Sequence, residues 1–226
     1  MTSARLLVYT RTTDYRHAST ERSVAELTAI ASTLGVACET TEDPVAFRDA
    51  RLAEFGAVCF FNTSGDVLDL AGRSALESFV RGGGGFFGVH AAAASEPGSP
   101  FYEELVGAYF SAHPEPQLGT LVVEDRTHPA TRALPERLAV HEEWYGFRRN
   151  PRDRTRVLLR VDETSYAPQA GAMGDDHPIA WCHERFGGRA LYTALGHDSA
   201  IFEVPQLRAH FQGALAWTLG LENARS

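Results

Sequence analysis

The chain has 226 residues, of which 44% are hydrophobic and 22% charged, the proportions of a globular rather than a disordered protein. Its 29 acidic and 21 basic residues leave a net charge of −8, which excludes the basic footprint that nucleic acid or an anionic membrane would require. Cys38, Cys59 and Cys182 are odd in number and scattered, so they suit neither a disulfide framework nor a paired zinc ligand set.

Arg5–Thr10 reads as a strand almost at the N-terminus, without a signal-peptide layout, and the longest apolar run, Ala57–Phe61, is far short of the roughly 20 residues of a membrane span. A soluble, cytoplasmic protein is expected. After a polar loop at Thr10–Thr20, Val24, Leu27, Ile30, Ala31 and Leu34 mark one helical face, and Gly35 stops it. Cys38–Thr41 is a weak strand. Asp43-Pro44 reads as an N-cap followed by proline, opening a helical segment to about Glu54. Ala57–Phe61 is a strand covered on both faces; a helix over about Ala71–Arg81 ends at Gly82–Gly85, and Phe86–Val89 is the next strand. This alternation predicts a parallel sheet.

The second half is less regular. Strands are expected at Gly119–Glu124, Arg156–Val161, Ile179–Cys182 and Ala190–Ala194, with a surface loop at Asn150–Arg156. Leu207, Phe211, Leu215 and Leu219 give a closing helix, about Pro205–Leu219, an apolar stripe. Phe101, Tyr102, Tyr109 and Phe110 suit either a core or a homodimer interface. With no linker or repeat, residues 1–226 are expected to form one α/β domain.

Ligands of an open parallel sheet bind beyond the carboxyl ends of its strands. The polar residues there are Asp14, Tyr15, Arg16 and His17 after strand one, Asn62–Asp66 after strand three, His90 after strand four, and His197-Asp198 after the last strand. Gly82–Gly85, Gly88 and Ala91-Ala92 surround His90 with small residues, as in a strand–elbow–helix reversal that lifts one side chain clear of the sheet. A helix beginning there would disfavour the imidazolium form. His17, His90 and His197 form a candidate divalent metal site, zinc being one suitable ion, with His113 or Glu143 as a further ligand; the same residues also suit metal-free acid/base catalysis. His183 is a second-rank candidate beside Trp181. His177 and His183 flank a strand and are expected at a sheet edge, His128-Pro129 as a turn, and His210 as a packing residue.

The glycine-rich elbow resembles the class I glutamine amidotransferase fold, a flavodoxin-like mostly parallel sheet with helices on both faces, whose elbow carries cysteine. Histidine at the elbow resembles the ThuA-like (trehalose-utilisation) branch. So do Tyr15-Arg16-His17, Gly107-Ala108-Tyr109-Phe110 before His113-Pro114, His128-Pro129-Ala130-Thr131, Glu142-Glu143-Trp144-Tyr145, Pro178-Ile179-Ala180-Trp181, Gly187-Gly188-Arg189 and Gly196-His197-Asp198. The resemblance covers nearly the whole chain. Glutaminase chemistry needs a thiolate paired with histidine, and with His90 at the elbow it is not expected here.

The resemblance implies carbohydrate utilisation: an enzyme that isomerises or hydrolyses a sugar, glycoside or keto-sugar, with His90, His17, Glu143 and His197 as catalytic candidates. Neighbours on an extended segment face opposite ways, and the family pattern favours Glu143 and Tyr145 over Glu142 as inward-facing. Tyr15, Arg16, Asn62, His113, Tyr145, Trp181, His183 and Asp198 are the substrate-binding candidates, the aromatic ones for stacking on a sugar ring. The alternative is a non-catalytic carbohydrate-binding or interaction protein on a degenerate amidotransferase scaffold.

Overall fold

The computed structural model describes residues 4–221. β1 (Arg5–Tyr9) leads through α1 (Thr20–Thr33) to β2 (Ala37–Thr41), and α2 (Asp49–Leu52) precedes β3 (Ala57–Phe61). The short strand β4 (Ser64–Gly65), α3 (Leu70–Arg81), β5 (Gly85–Val89), the short strand β6 (Ala94–Ser95) and α4 (Pro100–Val106) follow. The rest is β7 (Phe110–Ala112), β8 (Gln117–Val123), β9 (Arg137–Glu142), β10 (Gly146–Phe147), β11 (Arg156–Asp162), β12 (Pro178–His183), β13 (Ala190–Thr193) and α5 (Pro205–Thr218).

Nine strands form one sheet in the order β2-β1-β3-β5-β13-β12-β11-β8-β9. Its first five strands are parallel, as the strand–helix alternation predicts, and from β13 onward each pairing is antiparallel. Adjacent strand residues face opposite sides of a sheet, and Phe86 and Phe87 show both layers. Phe86 packs on Phe60 and on Tyr102 of α4, whereas Phe87 packs on Phe211 of α5. The protein is therefore an α/β sandwich of helix, sheet and helix. No helix among the described residues is long and apolar enough to cross a membrane.

Four sequence expectations are corrected. The segment after Pro44 is not one helix: Phe47 leaves helical space at φ −90°, ψ 77° and turns its ring between Tyr9 and Phe60. His177 and His183 are not at a sheet edge, because β12 lies between β11 and β13. The run Ala91–Ala94 is not an α-helix but a single 3-10 turn, His90–Ala93, so no helix macrodipole acts on His90. Finally, β9 escapes the sequence reading because its inward face carries Glu142 beside Val140 while Arg137, Ala139 and His141 are exposed; a buried acid breaks the apolar alternation. The aromatics around α4 belong to the core, with Tyr102 and Tyr109 buried and Phe101 and Phe110 packed against it.

The elbow is held by its neighbours. His90 has φ 50°, a left-handed conformation that costs a non-glycine residue about 1 kcal/mol or more and persists only when over-determined. The Tyr192 hydroxyl donates to the His90 carbonyl at 2.9 Å and the Tyr102 hydroxyl to the Ala92 carbonyl at 2.8 Å. Tyr192→Phe leaves that buried carbonyl without its donor and is expected to lower stability by about 1–3 kcal/mol with the fold intact; urea denaturation followed by circular dichroism measures it.

Candidate active site

Four side chains from four separate connections meet above the carboxyl ends of the parallel strands. His17 follows β1, His90 follows β5, His197 follows β13, and Glu143 follows β9. One ligand atom from each lies within 4.8 Å of all the others. Glu143 Oε2 is 3.2 Å from His90 Nε2 and 3.3 Å from His197 Nδ1. The rings of His17, His90 and His197 stand edge to face at centroid separations of 4.8–5.4 Å.

Local structure explains each placement. Phe61 and Val89 are register partners on β3 and β5, and Val89 and Thr193 on β5 and β13, so these strand ends lie side by side. His90 Nδ1 is 2.7 Å from the Ala194 carbonyl; a carbonyl only accepts, so Nδ1 carries a proton and the bond turns Nε2 toward the centre. The His17 carbonyl accepts from the Thr20 amide and hydroxyl, and the His197 carbonyl from the Ser19 hydroxyl. Trp144 lies across Gly119 and donates to the Gln117 carbonyl at 3.0 Å. That anchor buries Trp144 in the core and turns Glu143 and Tyr145, one residue to each side of it, toward the site.

The electrostatics are those of a coupled cluster. Burial, helped by the rings of His90 and His197, pushes His17 down to about 3. Burial alone would raise the Glu143 carboxyl, but the His197 and His90 rings outweigh it and hold it well below the usual carboxylate range. Glu143 in turn raises His197 above its ordinary value, while burial, reinforced by Glu143, drives the Tyr145 phenol well up. Yet His17 Nδ1, His90 Nε2 and His197 Nδ1 are buried without a hydrogen-bond partner. Buried polar atoms are nearly always satisfied, so these three nitrogens stand out from the other buried histidine nitrogens, and with Glu143 they are a set that could hold a metal ion.

A cavity of about 290 Å³ opens onto the cluster, lined by Asp14, Tyr15, His17, Phe110, His113, Glu143 and Tyr145 among others. The Tyr145 ring packs at a tilt against His90 and Phe110, with centroids 4.2 Å and 4.4 Å apart. His113 is at the rim, its Nδ1 3.1 Å from Glu143 Oε1 and 3.0 Å from the Pro114 carbonyl. Tyr15 is 64% exposed at the mouth, its ring against the edge of His17.

Other candidates lie elsewhere. Arg16 turns away to the Thr10 carbonyl and to Glu42. Trp181 is a core residue donating to the Val106 carbonyl, and His183 is bound to the Leu105 carbonyl. Asp198 is exposed and caps the 3-10 turn Ser199–Glu203. Asn62 is buried at φ 52° behind the elbow, bonded to Val89 and Gly196. None of the three cysteines is in the cluster, and burial pushes the Cys182 thiol up to about 12.

Two residues were missed as site components. Glu142, set aside as outward-facing, is buried and accepts from the Gly196, His197 and Glu143 amides. His177 lies beneath Tyr145, with Nε2 2.8 Å from its carbonyl and Nδ1 2.7 Å from Glu163. The acid pair signalled the first; nothing in the local sequence signals the second.

The fold and the geometry define an α/β protein with an imidazole–carboxylate cluster above the carboxyl ends of its parallel strands. The family described as ThuA, "Trehalose utilisation", matches residues 5–218, and the chain belongs to that family. Among solved structures it is similar to a ThuA-like protein from Bacteroides uniformis, at 23% identity and TM-score 0.82 over 98% of this chain and 93% of that one. A ThuA-like protein from Parabacteroides merdae aligns at 16% identity and TM-score 0.77 over 96% and 90%. A cytoplasmic protein from Salmonella typhimurium aligns at 10% and 0.64 over 94% and 98%. Comparison with curated proteins gives no match.

His128 and His210 serve the scaffold instead. His210 Nδ1 bonds the Ala130 carbonyl and Nε2 meets the Thr193 hydroxyl, and burial pushes both His128 and His210 down to about 4 from 6.5. Folded-state values below the unfolded value make this stability complete above pH 6.5 and progressively lost as pH falls toward 4. In His210→Gln, which keeps a donor and an acceptor but no titration, the loss between pH 7 and 4.5 is expected to shrink by about 2 kcal/mol; urea midpoints across that range test it.

Proposed function

We propose that the protein is a carbohydrate-active enzyme whose centre is a divalent metal ion held by His17, His90, His197 and Glu143, acting on a neutral sugar, glycoside or keto-sugar. The observation that carries this reading is the convergence of three buried, unpartnered imidazole nitrogens on one carboxylate oxygen. Imidazole with carboxylate suits zinc, manganese, iron or cobalt. Zinc with four protein ligands is closed to substrate, so an ion that accepts five or six ligands fits the full set better than zinc does.

The ion, when bound, polarises a carbonyl or hydroxyl oxygen of the substrate. The chain's own residues do the rest. Both oxygens near His113 Nδ1 are acceptors, so that nitrogen carries the proton and Nε2 is left as the base that takes a proton from a hydroxyl, or from the carbon beside a carbonyl. Tyr145, kept a neutral phenol, offers a donor. Phe110, Tyr145 and Tyr15 supply flat apolar faces for a sugar ring. Among the described residues no lysine or arginine lines the cavity, which favours an uncharged substrate over a phosphorylated one. Three unpaired cysteines and the cytoplasmic description of the Salmonella relative support a cytoplasmic location.

The test combines metal analysis with turnover. Saturating manganese, cobalt or zinc at about 100 times Kd is expected to add about 2.7 kcal/mol of stability, read as a rise in Tm that a chelator reverses. His90→Ala and His17→Ala are expected to remain folded, lose that rise, and lose at least about 100-fold in turnover of a keto-glycoside. Wild-type activity in His90→Ala overturns the proposal, and metal-independent sugar binding without turnover establishes the non-catalytic alternative.

A further inference from the structure

We infer that Glu142 is a positioning residue: its buried carboxylate ties together the two chain segments that present Glu143 and His197 to a shared ion. This deepens the proposed metal centre and rests on it for one of the two readouts below. Strand alternation points Glu142 away from Glu143, and an unpaired carboxylate on a buried face is costly. Here the charge is met by three backbone donors. Oε1 accepts from the Glu143 amide at 2.9 Å and the His197 amide at 3.2 Å, and Oε2 from the Gly196 amide at 2.9 Å.

Topology gives these bonds their weight. β9 and β13 are separated by three strands in the sheet, so no ladder hydrogen bond ties the end of one to the end of the other. The turn after β13 is also constrained: Gly196 has φ 119°, and a Cβ there would lie 3.0 Å from the Val89 side chain and 3.9 Å from His90 Cβ. One carboxylate thus sets the His197 turn against the His90 elbow and against its own neighbour, Glu143. Groups that orient metal ligands typically cost 10–100-fold in affinity when replaced.

Glutamine cannot reproduce the cage, because one of its ends would present a donor to an N–H. Glu142→Gln is therefore expected to fold, bind Co2+ about 10–100-fold more weakly than wild type, and show an altered visible absorption spectrum as His197 leaves the coordination shell. Glu96→Gln is the control, since Glu96 is equally buried and caged by the Val67 and Leu68 amides and by Arg73 but touches no ligand segment; it is expected to keep wild-type Co2+ affinity. Equal affinity and spectrum in Glu142→Gln overturn the inference. The second readout needs no metal: the His197 ring nitrogen resonances are expected to shift in metal-free Glu142→Gln, and unchanged resonances overturn the inference. Should wild type bind no Co2+, the metal centre falls while the ring resonances still decide the role of Glu142. Should Glu142→Gln not fold, amide exchange in wild type decides: protection of Gly196 and His197 matching core strand β13 supports the cage, and loop-like exchange overturns it.

Discussion

Three imidazoles and a carboxylate are held within a few ångströms of one another and largely away from water, and much of the surrounding structure exists to keep them there. Removing such groups from solvent is unfavourable unless they are paired. Glu143 is the carboxylate within direct reach of the rings, and it serves His90, His197 and His113 together. The left-handed elbow, the Glu142 cage and the Trp144 anchor are the means by which the fold imposes an arrangement that its isolated parts would not adopt. Concentrating strain and incomplete hydrogen bonding at one place while the rest of the chain is locally consistent is the pattern expected of a working site.

The parallel half of the sheet was legible because its signals are local. Val24, Leu27 and Ile30 repeat at helical spacing, and Ala57–Phe61 is apolar throughout, as a doubly covered strand should be. Residues that directly follow such strands fall on one rim by topology alone, which is why His17, His90 and His197 could be named from spacing. Glu143 is a different case. It reaches the rim because the antiparallel half of the sheet brings the end of β9 back to the end of β13, a long-range consequence of strand order that no window of sequence contains. Family resemblance selected Glu143, and packing supplies the reason: Trp144 needs the space above Gly119.

The misplaced candidates failed for equally physical reasons. Arg16 sits beside His17 in sequence, but an arginine there finds Glu42 just after β2 and the Thr10 carbonyl just after β1, a better-solvated partnership than a buried cluster of imidazoles. Trp181 has the flat face a sugar would use, yet its indole N–H is committed to Val106 and its ring to Tyr192. Asp198 follows His197 directly, and its carboxylate is spent on capping the next turn. Adjacency along the chain therefore predicted proximity to the site, while the direction of each side chain was decided by whichever partner satisfied it first.

Satisfaction of the ring nitrogens separates the histidines more cleanly than sequence position or burial does. His177, His210 and His90 are all fully buried. In His177 and His210 both ring nitrogens are engaged by protein atoms, so each ring is a cross-link within the core with no capacity left for chemistry. In His90 one nitrogen is engaged and the other is not. The engaged nitrogen selects the tautomer and orients the ring, which is what a ligand or base requires of its outer contact; the free one points at the same place as the free nitrogens of His17 and His197. A buried imidazole with a single protein partner is poorly explained as a structural element. His17 Nδ1 and His197 Nδ1 are likewise buried without a hydrogen-bond partner and, with His90 Nε2, gather around the Glu143 carboxylate, an arrangement that a purely structural role for these rings does not explain.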